Sequence, residues 1–370
     1  MSKLDELIKK LCPNGVNFLR LGDLILKAPK SKNGVKQLAE MDKGSYIAFT
    51  SGNKTFEVNS FLVDGEYLFM NDGGTADIKY YNGKANYSDH VFCFTSNKCN
   101  VKFIYYYLSA KQNYIDKELF VGSGLKNLNK NKFNELKIPV PPIEVQREIV
   151  RILDNFTELT AELTAELTAE LTARRKQYEY YRNEIMQLKH WHYRKTITEM
   201  SLGDIYDFQY GKGNVIPTNG GEYPVYGSNG IVGTHFEYNS EDAPVIGHIG
   251  AYAGIVNWGY GKHFVTYNGV ICKLKNNSVH SRYAYYLLLL QDFRAQAKSG
   301  SQPFVSYEIL KKPRVLIPPL EEQKRIVAIL DRFDALCNDL TRGIPAEIEA
   351  RQKQYEYYRD KLLTFKKLEV

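Results

Sequence analysis

The side chains that could make or break bonds are few, and their spacing is wrong for it. Gly211 and Gly213 lack the third glycine of a dinucleotide-binding turn. Lys262 after Gly261 lacks both the upstream glycine and the downstream hydroxyl of a phosphate-cradling loop. Pro141-Pro142 and Pro318-Pro319 follow Val140 and Ile317, so neither is the Asn-Pro-Pro-aromatic motif of amino-methyltransferases. Asp72, Asp77 and Asp89 offer the carboxylates of a nuclease, but Gly73 and Gly74 beside them read first as turn chemistry. The five cysteines, Cys12, Cys93, Cys99, Cys272 and Cys337, are odd in number and scattered, with no Cys/His cluster. That argues for reduced thiols and against zinc. Neither a catalytic nor a metal site is expected.

What remains is binding chemistry. Amides and hydroxyls in glycine-flanked loops can hydrogen-bond base edges, and nearby cations can hold phosphates. In the first half of the chain the candidates are Thr50, Ser51, Asn53, Lys54, Thr75, Lys126 and Asn127. In the second half they are Lys212, Tyr226, Ser228, Asn229, His248, Tyr267, Ser301 and Gln302. All of these residue types also build ordinary turns and surface. His248, within Ile246-Gly247-His248-Ile249-Gly250, equally suits a satisfied structural histidine.

The elements that must carry these loops are revealed by an internal repeat. Pro142 to Phe156 recurs at Pro319 to Phe333, with Pro142, Glu144, Gln146, Ile149, Val150, Ile152, Leu153, Asp154 and Phe156 matched identically at an offset of 177 residues. The same offset aligns Lys176-Gln177-Tyr178-Glu179-Tyr180-Tyr181-Arg182 with Lys353 to Arg359 at every position. A weaker echo joins Leu21-Gly22-Asp23 to Leu202-Gly203-Asp204, and both blocks run out through Ile-Pro, at Ile138-Pro139 and Ile317-Pro318. The order is variable block, repeat, variable block, repeat. Apolar residues at Ile149, Ile152, Leu153, Phe156, Leu159, Leu163 and Leu167 follow the spacing of an amphipathic helix. From Pro142 to Leu188 such a helix would be about 70 Å long, and the second copy is its expected partner. Gly343 and Pro345 should kink or break that copy. Thr160-Ala161-Glu162-Leu163 repeats perfectly through Leu171 in the first copy only, which reads as a length-setting spacer rather than padding. The variable blocks read as mixed α/β, with strands at 45–49, 67–70, 90–94, 244–246 and 269–272 and short helices at 102–109 and 282–290. Expected segments are therefore 1–140, 141–190, 191–316 and 317–370.

Charge follows the same division. Residues 1–135 carry 19 basic and 14 acidic side chains and residues 191–314 carry 12 and 9, whereas 136–190 carry 8 and 9 and 315–370 carry 10 and 10. Two basic blocks on neutral connectors fit nucleic-acid binding. The chain holds 28 tyrosines, suited either to recognition surfaces or to β-rich cores. Asp5 and Glu6 stand where a signal peptide needs apolar residues, and the run from Tyr285 to Leu290 is too short to cross a membrane, so a cytoplasmic location is expected.

The alternation of blocks, the Ile-Pro-x-Pro entry to the first helix, its Thr-Ala-Glu-Leu repeats and the Lys-Gln-Tyr-x-Tyr-Tyr-Arg near its end together resemble the specificity subunit of type I restriction-modification enzymes, in particular the subgroup with such repeats. The resemblance implies an α+β (mixed) fold: two α/β target-recognition domains joined by two long antiparallel helices as a coiled-coil spacer, in a pseudo-twofold internal repeat. It implies that each domain reads one half of a split, asymmetric site in double-stranded DNA. It implies two modification (methyltransferase) subunits docked on the helices and restriction subunits carrying motor and nuclease. S-adenosylmethionine, ATP and Mg are then expected in those partners and no cofactor in this chain. Tyr178, Tyr180, Tyr181 and Arg182, with Tyr355, Tyr357, Tyr358 and Arg359, are the candidate docking residues, unless they only pack helix on helix. The competing reading is a coiled-coil adaptor that touches no nucleic acid.

Overall fold

A computed structural model describes residues 2–188, 196–297, 302–338 and 343–368, with backbone alone at 337 and 338. The first half carries strands β1 (Asn17–Arg20), β2 (Leu26–Lys27), β3 (Tyr46–Phe49), β4 (Thr55–Val58), β5 (Val63–Asn71), β6 (Ile78–Tyr87), β7 (Val91–Thr95), β8 (Phe120–Val121), β9 (Asn127–Leu128) and β10 (Lys137–Val140). Its helices are α1 (Lys3–Leu11), α2 (Leu21–Leu24), α3 (Val35–Glu40), α4 (Val101–Ala110), α5 (Gln112–Tyr114) and α6 (Lys130–Asn134), followed by the 44-residue α7 (Ile143–Met186). The second half carries β11 (Thr198–Ser201), β12 (Tyr206–Tyr210), β13 (Tyr223–Gly227), β14 (Gly230–His235), β15 (Ser240–Gly247), β16 (Val256–Val265), β17 (Gly269–Leu274) and β18 (Arg314–Ile317). Its helices are α8 (Leu202–Ile205), α9 (Ser281–Leu289), α10 (Phe293–Gln296), α11 (Tyr307–Lys311), α12 (Leu320–Asn338) and α13 (Ile344–Leu362).

The repeat expected from the sequence is present strand for strand in the two six-stranded sheets. One six-stranded sheet runs β2-β7-β5-β6-β3-β4 and the other β12-β17-β15-β16-β13-β14. Each has one parallel pair, β3 with β6 and β13 with β16. The entry and exit strands pair separately, β1 with β10 and β11 with β18. The Leu-Gly-Asp echo has a packing cause. A Cβ on Gly22 would lie 2.9 Å from Asn134 Cβ, and one on Gly203 would lie 3.1 Å from Lys311 Cβ. In each domain a short helix must therefore press its backbone against another, α2 on α6 and α8 on α11, with Leu21 and Leu202 fully buried beneath.

Both sheets are bent sharply. Ala85 pairs with Val63, and Tyr87 lies two residues beyond it, while Val91 pairs with Asn71. Four residues reach at most about 14 Å, whereas the straight strand from Val63 to Asn71 would span roughly 26 Å. The bend lies where Gly65 (φ +119°) faces Gly83 (φ +144°). The second domain bends with other residues: Asp242 (φ +41°) sits at a register shift in β15, and its Oδ1 accepts from the amide of Gly261 (φ +55°) at 2.8 Å. Aspartate is among the few side chains that tolerate this region. Folding over brings Phe69 onto Phe49, with ring centroids 4.4 Å apart, and makes a second small core on the far face of the sheet.

The repeated helix starts explain their own motif. Val145, Ile149, Val150 and Leu153 are buried against the first domain, and Ile326, Val327 and Leu330 against the second. Each such side chain contributes roughly 2 kcal/mol by leaving water. Gln146 is buried; its Oε1 accepts from Asn100 N at 2.9 Å and its Nε2 donates to Pro141 O at 2.7 Å. Gln323 does the same for His280 N at 2.7 Å and Pro318 O at 2.8 Å. Asn100 and His280 are the N-cap residues of α4 and α9, so one glutamine ties each long helix to a helix of its own domain.

The break expected at Gly343 and Pro345 is present: the second repeat copy is two helices of 19 residues, α12 and α13, with Pro345 in the first turn of α13, where a missing N–H costs nothing. The chain also divides into two compact units. One comprises residues 1–166 with 348–370 and the other residues 167–347, so α7 and α13 are each shared out. Within the first unit α7 and α13 run antiparallel: Thr157 Oγ1 lies 3.0 Å from Tyr355 Oη, and the Phe156 ring lies 6.2 Å from that of Tyr358. The C-terminal segment returns there as well. Leu363 joins the core, Val16 bridges to Lys367, and Leu368 N donates to Val16 O at 2.9 Å.

Candidate nucleic-acid interface

At one end of each bent sheet, four loops are tied together by backbone hydrogen bonds that correspond one for one. In the first domain Ser88 N donates to Phe49 O, Asp89 N to Asn33 O, Asp72 N to His90 O, Gly74 N to Lys126 O and Leu128 N to Asp72 O, at 2.9–3.0 Å. In the second, Thr266 N donates to Tyr226 O, Tyr267 N to Gly213 O, His248 N to Asn268 O, Gly250 N to Pro303 O and Val305 N to His248 O, at 2.8–3.0 Å. Gly74 and Gly250 hold the same left-handed backbone, φ +87° and +88°, which glycine adopts without strain. The scaffold is duplicated while its side chains are not: Asp72 stands where His248 stands, Asp89 where Tyr267 stands, and Asn127 where Phe304 stands.

The sequence candidates converge on these platforms. In the first domain Thr75, Lys126 and Asn127 are exposed and adjacent, joined by the Gly73–Asn127 bridge and the Gly74–Lys126 hydrogen bond. Ser51, Asn53 and Lys54 form the neighbouring β3–β4 turn, with Lys54 Nζ 4.8 Å from the centroid of the Phe56 ring. Thr50 is buried, and its Oγ1 donates to Lys54 O at 2.6 Å, so it builds that turn instead of facing outward. In the second domain Lys212, Ser228, Asn229, Tyr267 and Gln302 lie on the platform, and Ser228 Oγ bonds the carbonyls of Ile249 and Asn268 at 2.8 and 2.9 Å. Tyr226 is buried. His248 is buried too, its Nδ1 3.0 Å from Val305 O, which is the structural role left open for it. Ser301 lies outside the described residues.

The two surfaces differ chemically. Around the first platform Lys30, Lys32, Lys54 and Lys126 are exposed cations, while Asp72 is taken by Lys130 at 2.7 Å and Asp77 by Lys79. Those ion pairs hold the β5–β6 loop. Around the second, Tyr210, His248, Tyr267 and Tyr307 make an aromatic cluster, with Tyr210 stacked on Tyr307 at 4.2 Å. Burial pushes the Tyr210 phenol above its ordinary pKa. Lys30 and Lys32 were not among the sequence candidates. The signal was available in Pro29-Lys30-Ser31-Lys32-Asn33-Gly34, a polar loop whose Lys32 stands where Lys212 stands.

The tyrosine-rich repeat ends are identical in sequence but not in surroundings. Tyr180, Tyr181, Tyr357 and Tyr358 are exposed. Tyr178 is 6% exposed and belongs to the second core, so it packs its helix and offers no free surface. Tyr355 is half-buried against Thr157. Arg182 bonds Asn183 and Arg359 bonds Asp360. Among the described residues no group of three or more histidine, cysteine or carboxylate side chains could hold a metal, and no helix is long and apolar enough to cross a membrane.

The family model described as type I restriction modification DNA specificity domain matches residues 13–173 and again 194–350. A Haemophilus influenzae protein named as a type I restriction enzyme specificity subunit is 34% identical over 350 residues, covering 87% of this chain and 89% of that one. The specificity subunit of the Escherichia coli type I restriction enzyme EcoprrI is 32% identical over 359 residues, covering 90% and 84%. Two solved structures share the fold. One, of type I restriction-modification complex assembly and conformational transition, has TM-score 0.63 at 16% identity over 96% of this chain and 98% of that one. The other, the specificity subunit from M. genitalium, has TM-score 0.50 at 20% identity over 94% and 96%. With the family domain matched twice at the spacing of its own internal repeat, the chain belongs to the DNA specificity subunits of type I restriction-modification enzymes.

Proposed function

We propose that each platform reads one half of a bipartite, asymmetric site in double-stranded DNA. The observation that carries this reading is the duplicated backbone scaffold bearing unlike side chains. Equal scaffolds set two equal docking geometries, and unlike side chains set two different base sequences. The exposed lysines of the first platform supply phosphate contacts, and the tyrosines of the second supply rigid, amphipathic contact area.

The paired helices set the distance between half-sites and dock two modification (methyltransferase) subunits through Tyr180, Tyr181, Tyr357 and Tyr358, with restriction subunits joining that assembly. S-adenosylmethionine, ATP and Mg act in those partners, and this chain contributes recognition without catalysis, in the cytoplasm. The test is a block exchange. Replacing residues 20–135 with the corresponding block of a relative should change one half of the methylated site and leave the other half and the gap unchanged. A change in both halves would sink the reading.

A further inference from the structure

Each domain is fastened to its helix by a cation, a tyrosine and an aspartate. In the first domain Lys102 Nζ lies 2.8 Å from Asp154 Oδ1, and Tyr106 Oη donates to the same oxygen at 2.6 Å. The lysine sits 5.1 Å from the centroid of the Tyr80 ring on β6. In the second domain Arg282 Nε and Nη2 lie 3.2 and 2.8 Å from Asp331 Oδ1, and Tyr286 Oη donates to that oxygen too. Here the ring beneath the cation is Trp258 of β16, 4.7 Å away. Asp154 and Asp331 are equivalent in the repeated helices. Lys102 and Arg282 occupy the second position of α4 and α9, and the Tyr80 and Trp258 rings are equivalent on their strands. The cation and the rings belong to the variable domain and the aspartate to the repeated helix.

The two fastenings differ in stiffness. The Lys102 side chain is 28% exposed and its ammonium is a point charge free to swivel. The Arg282 side chain is 15% exposed, its planar fork lies among the Trp258, Tyr285 and Tyr286 rings, and Asp334 approaches at 3.8 Å. The residue at the Asp334 position in the first copy is Thr157, which carries no charge. Paired with Asp331 and stacked among these rings, most of the Arg282 side chain is covered.

We propose that this duplicated cation–aspartate contact holds each domain at a fixed angle on its helix and so determines how strictly the gap between DNA half-sites is enforced, with Arg282 as the principal positioning residue. The proposal rests on the reading that two platforms read two half-sites. A domain free to rock on its helix would move its platform along the duplex by about one base-pair step, roughly 3.4 Å, while its own base contacts stayed intact.

The test uses the complete complex on a plasmid library in which both half-sites are kept and the gap is varied by single base pairs, with methylation as the readout. Arg282→Ala should reduce the preference for the native gap over its neighbours by about tenfold, the scale of one mismatched step, with the methylated half-site sequences unchanged. Arg282→Lys, which installs the cation the first domain uses, should restore most of the preference. Lys102→Ala should loosen the gap less. Wild-type gap preference in an active Arg282→Ala complex would overturn the proposal, and so would a change in half-site bases. Where Arg282→Ala yields no complex, an unaltered preference in Lys102→Ala overturns it. If the block exchange of residues 20–135 changed both half-sites, the two-platform reading itself would fail, whatever the Arg282 result.

Discussion

Among individual residues, the platforms separate side chains that position DNA from side chains that read it. Lys126→Ala removes an exposed cation and should weaken binding by a similar factor on all sequences, lowering the slope of log affinity against log salt by about 1. Asn127→Ala should instead relax selectivity at one position of one half-site. If a salt titration showed equal slopes for Lys126→Ala and wild type, Lys126 would not touch phosphate. Glu148 makes a pH prediction. Hydrogen bonds from Arg151 and then Lys3 hold its carboxyl down to about 2. A depressed carboxylate contributes stability that is present above its unfolded pKa of about 4.3 and is lost as pH falls through that window toward 2. Glu148→Gln should lower stability near neutral pH and converge with wild type as pH falls toward 2, so the acid limb of a stability-against-pH curve flattens; an acid limb identical to wild type would contradict it. The outward-facing candidates were legible because amides, hydroxyls and lysines beside glycine suit exposed loops. Thr50, Tyr226 and His248 share that context, but loops this tightly bonded need inner residues to satisfy carbonyls or fill space. Which side chain turns inward depends on register, which a single loop sequence does not encode.

For the secondary-structure elements, α7 is one continuous helix, and its Thr-Ala-Glu-Leu repeats straddle the boundary of the two compact units at residues 166 and 167. Leu159 is 60% exposed, whereas Leu163, Leu167 and Leu171 are half-buried, so the leucine stripe changes exposure along the helix, as a four-residue period drifting against 3.6 should. Deleting Thr164 to Leu167 shortens the helix by roughly 6 Å and turns its far end by about 40°. One base-pair step is about 3.4 Å and 35°. We expect the deletion to shorten the gap between half-sites by about one base pair with both half-site sequences kept. Sequencing methylated sites from wild type and deletion decides it; an unchanged gap with retained activity would make the repeat padding. The long helices, α4, α9 and the strands β3, β5, β7, β15 and β17 could be placed from periodicity and apolar runs, and the break before α13 from Gly343 and Pro345. The sheet bends could not, because Gly65 means little until Gly83 is known to face it, and the second domain makes the same bend with Asp242.

For the whole molecule, duplication was legible, since a shared offset of 177 residues at both ends of the repeat requires two units of equal plan. The division into compact units was not, because it depends on the last turns of α13 and the residues after it returning to Val16 and to the core that contains Leu363. That return has a consequence in time. A ribosome makes the chain in order, and the unit of residues 167–347 is continuous. The unit begun first is interrupted by those same residues and cannot close until Leu363 emerges. At roughly 5–20 residues per second the intervening stretch takes about 10–35 s to synthesise, during which the surface awaiting Leu363, and the side of α7 awaiting Tyr355, stay uncovered. The domain translated first should therefore be finished last. Nascent chains arrested just after residue 347 and briefly exposed to protease should show a resistant second unit and a sensitive first one, with the difference disappearing on release of the full chain. Equal resistance of both units at that arrest point would show that the first domain closes without its returning C-terminal segment.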